Sequence, residues 1–502
     1  MISFSVIEAA KILGARHING DAVFDRVSSD TRTLEGAALF VAIPGERFDG
    51  HDYVAAAAEK GAVAALVDHE VDVELPQIVC SHVVQAFGEL ALAWRERSSA
   101  HVVALTGSNG KTTVKEMLAR IFAEMGPVLS TLGNLNNNIG VPLTLTRLQE
   151  ERYAVIEMGA NHAGEIHDLS MMTRPDVALL NNAGRAHLEG FGSEEGVARA
   201  KAEILYGLKK DGVFVCHGDS KWLPLWKKLT ASHRMVTFGE ASHCDVRVVD
   251  AKAETLWDEQ GFRQRFSIET RGHLVDVELP LAGRHNIMNA AAAIAVALES
   301  GVPEEIAVFA LKFIMPVRGR LFPLITSSGL RVIDDSYNAN PDSVAAAMHV
   351  LTGLGGNSVM VLGDLAELGD DPRGIHQVLG KVAKELGVQR LYTLGPLSEA
   401  AAEPSEQGKG WRLLLQTNTG ETHVLTDSSG RELLYHSLDQ VTEHVVRERA
   451  QSHLFVGKVG DLNLIGHVPF KPPGVIERAG GGLARGDRNS CHLTSGIIQT
   501  PG

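Results

Sequence analysis

Between residues 107 and 113 the chain reads GSNGKTT, and no other stretch concentrates as much chemistry. Its glycines let backbone amides close around phosphate oxygens, and a helix starting beside Lys111 adds more amides and a partial positive charge. Lys111, expected in a surface loop, supplies a full charge for the outer phosphates, and the Thr112 hydroxyl can ligate magnesium. Gly107, Ser108, Asn109, Gly110, Lys111, Thr112 and Thr113 are thus the expected phosphate cradle of an ATP-handling enzyme. Leu105 stands where the full GxxxxGKS/T pattern has its first glycine, so a glycine-rich turn without a ligand is the competing reading. GKTT set between a strand and a helix argues against that reading.

Three further residues invite a chemical reading. Glu157 ends the apolar segment AVIEMG and is followed by Gly159, Asn161 and His162. A buried carboxylate is costly unless it meets a cation; magnesium beside Thr112 would answer that cost, as would a hydrogen-bonded strand cap. His187, in NNAGRAHLEGFG, reads on residue type alone as a solvated loop histidine. Lys201 shares a helix face with Val197, Ile204, Leu205 and Leu208. Desolvation there favours the neutral amine, which can pair, snorkel or react with carbon dioxide to give a carbamate; spacing alone favours snorkelling.

The elements that must position these residues alternate between strand and helix. The strand Val102 to Leu105 precedes the loop, and Val114, Met117, Leu118, Ile121, Phe122 and Met125 follow at helical spacing. Short apolar strands recur at Ala154 to Ile156, Val177 to Leu180 and Val213 to Cys216, which predicts a parallel sheet covered on both faces. Polar residues at the carboxyl ends of such strands are where ligands sit. Before this block lie Ala38 to Ala42 and a helix near Val54 to Lys60. A third block starts near Pro316 and repeats the alternation at Arg331 to Ile333, Ser358 to Leu362, Arg390 to Leu394 and His453 to Val456. The expected class is α/β with three domains, 1–95, 96–315 and 316–460, the central one a P-loop parallel-sheet ATPase domain. The segment 401–409 is expected as an exposed loop. Residues 457–502 hold ten glycines and four prolines in 46 residues, which excludes a long helix. A disordered tail is expected over 461–502, with so abrupt a change of character resembling a shifted reading frame.

Composition narrows the class. A chain of 502 residues implies two to four domains, and 44% hydrophobic with 22% charged residues is an ordinary soluble balance. A net charge of −14 argues against a general nucleic-acid binder or a partner of anionic membranes. Cys80, Cys216, Cys244 and Cys491 are scattered without a CxxC pair, a reduced intracellular set. The N-terminus has no long apolar region, and Ile287 to Leu298 is too short for a span of roughly 20 residues. It reads as a buried alanine-rich helix. A cytoplasmic monomer without membrane insertion is expected.

Taken together, these residues resemble the Mur ligases, ATP-dependent amide ligases of peptidoglycan synthesis. The similarity runs from about Ser28 to the strand near Val456. TGSNGKTT, EMG, NNAGRAHLEGFGS and AKAEI look like that family's central ATPase domain, and the resemblance implies a Rossmann-like C-terminal domain. It also implies that Thr112 and Glu157 ligate one magnesium, that His187 ligates a second, and that Lys201 is a metal-binding carbamate. GRHNIMNAAAAIA (283–295) resembles the adenine-side segment, so His285, Asn286 and Asn289 would contact nucleotide. Arg320 would reach the ATP phosphates, and Asp335 would hold the ribose or purine side.

IDDSYNANPDS (333–343) and VLGDLAELG (361–369), followed by His376, resemble the branch that joins D-alanyl-D-alanine to UDP-N-acetylmuramoyl-tripeptide. In the first block SSDTR (28–32) and ALFVAIPGERFDGHDY (38–53) look like the site for the uridine-linked sugar peptide, and GNLNNNIGVPLTL (133–145) fits the same pattern. Ser29, Asp30, Thr31, Arg32, Asn137, Asn338 and Asn340 are the implied substrate contacts. The implied reaction passes through an acyl phosphate, with Lys111, Lys201, His187 and Glu157 at the chemistry. The rivals are a single-amino-acid ligase of the same architecture, such as a folylpolyglutamate synthase, and a P-loop nucleotide switch that ligates nothing. No pterin-binding loop stands in place of SSDTR, and the polar strand ends argue against the switch.

Overall fold

The computed structural model describes residues 2–45, 48–185, 188–230, 233–249, 254–326 and 329–402, and the strands 425–426, 432–433 and 452–457. Three sheets follow one another along the chain. The first runs in the order Arg16–Ile18, Gln77–Val79, Ala62–Val67, Ala38–Val41, Arg26–Ser28, parallel except for the Arg16–Ile18 pairing. Alternate residues feed two cores. Leu39 and Val41 join one apolar cluster, while Ala38, Phe40 and Ala42 join another with Val54 and Ala57. A strand buried on both faces reads as an unbroken apolar run, which is why ALFVA shows no alternation.

The second sheet carries the site. Seven strands lie in the order Val128–Ser130, Tyr153–Glu157, His101–Thr106, Val177–Leu180, Val213–His217, Arg234–Gly239, Val246–Val248, and all of these pairings are parallel. Glu157 pairs with Leu105 and Leu180 with Thr106, so one edge collects the carboxyl ends of three strands. The helix Lys111–Ala123 packs against the helix Arg284–Glu299, whose residues Ala290 to Ala297 are all buried. Alanines let those axes approach closely, confirming the buried helix expected there.

The sheet then turns antiparallel through Gly261–Thr270, with His273–Leu279 and Leu256–Asp258 beside it. These strands went unread in the sequence, although Phe262, Gln264, Phe266, Ile268 and Thr270 are buried in strict alternation.

The third sheet has the order Phe322–Ile325, Arg331–Asp335, Ser452–Gly457, Asn357–Gly363, Arg390–Leu394. The late strand therefore sits at its centre, parallel to both neighbours. Asn340 caps the helix Pro341–Gly353 with a reciprocal Asn340–Ser343 box.

Two expectations need correction. The helix bearing Lys201 stops at Ala202 and gives way to a 3-10 turn over Glu203–Leu205. There the Glu203 carboxylate is drawn away to the amides of Gly164 and His167. The expected exposed loop at 401–409 begins with a buried Ala401, whose carbonyl lies against Gly380 of the helix Pro372–Glu385. Residues 403–409, His187, Cys491 and the whole of 461–502 lie outside the described residues. Among the described residues, no helix is long and apolar enough to cross a membrane.

Candidate active site

The phosphate-type loop leaves the strand at Thr106 and enters the helix at Lys111. Gly110 has φ +78°, and a Cβ there would lie 2.4 Å from Asn289 Oδ1, so glycine is obligatory. Asparagines hold the loop in shape. Asn109 donates its N–H to Asn182 Oδ1 at 2.8 Å, and its carbonyl accepts from Asn181 Nδ2 and Asn182 Nδ2 at 3.0 and 2.9 Å. Asn181 Nδ2 also donates to Asn289 Oδ1 at 2.9 Å, and Asn289 donates in turn to Asn286. Asn286 and Asn289 thus brace the loop from below while lining the same cavity as His285. Burial lowers the His285 imidazole to about 4, leaving it neutral at physiological pH.

Lys111 is the first residue of the helix and is half-buried, which corrects its expected place in a surface loop. Its ammonium donates to the Gly107 carbonyl at 2.8 Å. Burial holds its pKa below the ordinary lysine range, Glu157 pulls it back up, and Arg320 pushes it further down. Glu157 is only 2% exposed. Its Oε1 accepts from Asn136 Nδ2 at 2.8 Å, and its Oε2 is buried with no hydrogen-bond partner among the described residues. That orphaned oxygen shares a cavity wall with Thr112, and two oxygen donors beside a lysine fit a hard divalent cation such as magnesium.

The opposite wall comes from the third sheet. The cavity, about 1530 Å³, is lined by the loop, Glu157, Asn137, Arg320, Asp335, Asn338 and Asn340. Arg320 lies 4.5 Å over the Tyr337 ring. Asp335 accepts the Leu321 N–H at 3.0 Å; burial raises its carboxyl to about 7, against the opposing pull of Arg320. Its neighbour Asp334 is consumed by Gly319 and Ser336. Polar contacts join the walls at the cavity rim. Asn340 Nδ2 donates to Asn109 Oδ1 at 2.6 Å, and Arg185 meets Asp342 through its backbone N–H and its guanidinium at 2.9 and 2.8 Å.

Some expected residues stand apart. Lys201 is 1% exposed, 5.3 Å over the Phe191 ring, and donates to the Ala160 carbonyl at 3.3 Å, so it lies behind the wall that Ala160 forms. Burial first, then Lys111, lowers its amine to about 7. The amine does not snorkel. Ser29, Asp30, Thr31 and Arg32 are not among the lining residues; they form a turn after the strand Arg26–Ser28 in which Arg32 is paired to Asp30 at 2.7 Å. The sequence reading missed Asn136, Asn181, Asn182, Arg185, Tyr337 and Asp342. Leu179-Leu180 followed at once by two asparagines was the available signal.

Comparison with known proteins agrees with this geometry. Residues 24–99 match the model of the Mur ligase family catalytic domain, 105–297 that of the Mur ligase middle domain, and 319–446 that of the Mur ligase glutamate ligase domain. The UDP-N-acetylmuramoyl-tripeptide–D-alanyl-D-alanine ligase of Escherichia coli K12 is 43% identical over 82% of this chain and 90% of its own length. This chain belongs to the Mur ligase family. The Bacillus subtilis Mur ligase of the same name is 38% identical over 76% of this chain and 82% of its own length. The crystal structure of MurF from Acinetobacter baumannii superposes with a TM-score of 0.79 at 34% identity, covering 91% of this chain and 96% of that one. A Mur ligase from Thermotoga maritima, MurF in complex with ADP, gives 0.71 at 26% identity over 86% of this chain and 93% of that one.

Proposed function

We propose that this chain is an ATP-dependent, ADP-forming ligase that joins D-alanyl-D-alanine to UDP-N-acetylmuramoyl-tripeptide in the synthesis of cell-wall precursors. The observation that carries this reading is the shared cavity. A phosphate-type loop with Lys111 and a buried carboxylate form one wall, and Arg320 and Asp335 from the third block form the other. Similarity to ligases of that name over most of the chain supports the choice of substrates.

In this reading the terminal carboxylate of the tripeptide attacks the γ-phosphorus of ATP and ADP departs. The amine of D-alanyl-D-alanine then displaces phosphate from the acyl phosphate to form the amide. Lys111, freed from the Gly107 carbonyl, neutralises the transferring phosphoryl group, and the loop amides orient it. Thr112 and Glu157 would hold one magnesium, with His187 and Lys201 at a second; the ions would screen charge on the phosphates. An amine titrating at about 7 supports carbamylation of Lys201, in which neutral amine and carbon dioxide give a carbamate and a proton. Such a carbamate would turn a buried cation into a ligating anion. Arg320 serves the phosphates, and Asp335 and neutral His285 serve the nucleoside. Asn137, Asn338 and Asn340 face the substrate side, with Ser29 to Arg32 reaching the uridine-linked end.

The division at 95 and 315 assigns sugar-peptide binding to the first block, nucleotide to the second and closure to the third. Closure would exclude water from the acyl phosphate. A monomer is proposed, and nucleotide-linked substrates suit an enzyme that works in the cytoplasm. The test is ADP release with UDP-N-acetylmuramoyl-tripeptide while the amine is varied among D-alanyl-D-alanine, D-alanine, L-alanine and glutamate. Release stimulated by D-alanyl-D-alanine above the others is expected; equal release without any amine would defeat the reading.

A further inference from the structure

Lys115 lies one helical turn beyond Lys111 and is 2% exposed, among the largest fully buried side chains. It shares a stripe with Leu118 and Phe122, both buried, where an apolar residue would pack without penalty. A buried ammonium is costly unless its hydrogens are satisfied. Lys115 Nζ donates to the Thr131 carbonyl at 2.8 Å and pairs with Glu116 Oε1 at 2.9 Å.

Thr131, itself buried, uses each of its polar groups. Its N–H donates to the Val155 carbonyl at 3.1 Å, and its hydroxyl accepts the N–H of Glu157 at 2.9 Å. Five residues on, Asn136 donates to Glu157 Oε1, and among the described residues Oε2 has no hydrogen-bond partner. One unbroken series of hydrogen bonds therefore runs from the helix that begins at Lys111 to the strand end that carries Glu157. Thr112 is on the first of these elements and Glu157 on the second.

We infer that Lys115 is a positioning residue that, through Thr131, sets the spacing between the Thr112 hydroxyl and the Glu157 carboxylate and so tunes divalent-cation affinity. The inference rests on the reading that those two oxygens share a magnesium. Residues that orient metal ligands typically change affinity by about 10- to 100-fold when removed. Lys115→Met keeps the length and suits the apolar surroundings, whereas Thr131→Val removes only the hydroxyl.

The experiment measures Mn²⁺ binding to the full chain by electron paramagnetic resonance in the presence of ADP, and ADP binding in EDTA. Mn²⁺ affinity is expected to fall about tenfold in each single variant, with no further fall in the double variant, because both break one series. ADP affinity without metal stays unchanged. In turnover, kcat falls while KM for D-alanyl-D-alanine holds, and raised Mg²⁺ restores kcat. Should Lys115→Met fail to fold, Thr131→Val alone decides. Unchanged Mn²⁺ affinity in the variants, or additive losses in the double variant, overturns the inference alone. Absence of Mn²⁺ binding by the unsubstituted protein overturns the magnesium reading, and this inference with it.

Discussion

The two walls of the cavity are built by opposite strategies. On the central-sheet side the loop is tied to its neighbours by Asn181, Asn182, Asn286 and Asn289, and Glu157 is held by Thr131 and Asn136. Most of these groups are buried, so their hydrogen bonds act at low dielectric and the wall is shaped before any ligand arrives. Across the cavity, the third-sheet wall meets the loop through Asn340 to Asn109, and it meets the segment after the strand Val177–Leu180 through an Arg185–Asp342 pair whose side chains are 50% and 34% exposed. Solvent-exposed pairs of this kind contribute about 0–1 kcal/mol. The contrast teaches a division of labour: a wall shaped by buried amides receives phosphate, while the facing wall meets the cavity rim through exposed polar pairs and is anchored farther off by an apolar core shared with Trp257, Phe262 and Ala282.

The largest effect expected is on the central-sheet wall. Lys111→Ala should reduce ADP release by at least about a thousandfold, the scale of losing a principal electrostatic stabiliser, while its melting temperature stays within a few degrees of the parent. Turnover near the parent's would show that the loop does not serve phosphate. Next comes Lys201→Ala, for which a loss of about a hundredfold or more is expected. A short-chain carboxylic acid should recover part of it by replacing the missing anion; a variant that keeps full activity would remove the carbamate.

On the third-sheet wall the effects are smaller and depend on pH. The Asp335 carboxyl is raised to about 7 from an ordinary 3.8. The folded chain therefore keeps a proton that the unfolded chain has released, and the associated stability is fully present below 3.8 and lost as pH rises through about 7. Asp335→Asn removes that loss, so its melting temperature should gain on the parent by a few degrees between pH 5 and 8. Parallel melting curves would contradict the burial of that carboxyl. Smallest is the Arg185–Asp342 pair. Asp342→Asn should alter KM for ATP by about two- to fivefold with no change in melting temperature. Small-angle scattering should give a larger radius of gyration for this variant without nucleotide. A large loss of stability would mean that the pair holds the fold together rather than the closure.

The sequence by itself determined the parts whose partners are near in the chain. Gly107 to Thr113 could be read because strand, loop and helix start are consecutive, and the helix turns the loop amides inward whatever else surrounds them. Period 3.6 likewise marked the face that buries Lys201, and the alanine run marked the helix Arg284–Glu299. Pattern reports which face is buried and is silent on what covers it. That decision was tertiary. Sheet order set Val177–Leu180 beside His101–Thr106, bringing Asn181 to Asn289 across 108 residues. Packing of the third sheet brought Asp342 to Arg185 across 157. Folding likewise set the Thr131 carbonyl against the buried Lys115 ammonium, 16 residues away in sequence. Each of these outcomes depends on strands distant in sequence competing for neighbours. The free energy that decides among them comes from burying whole sheet faces, a quantity that no local segment contains.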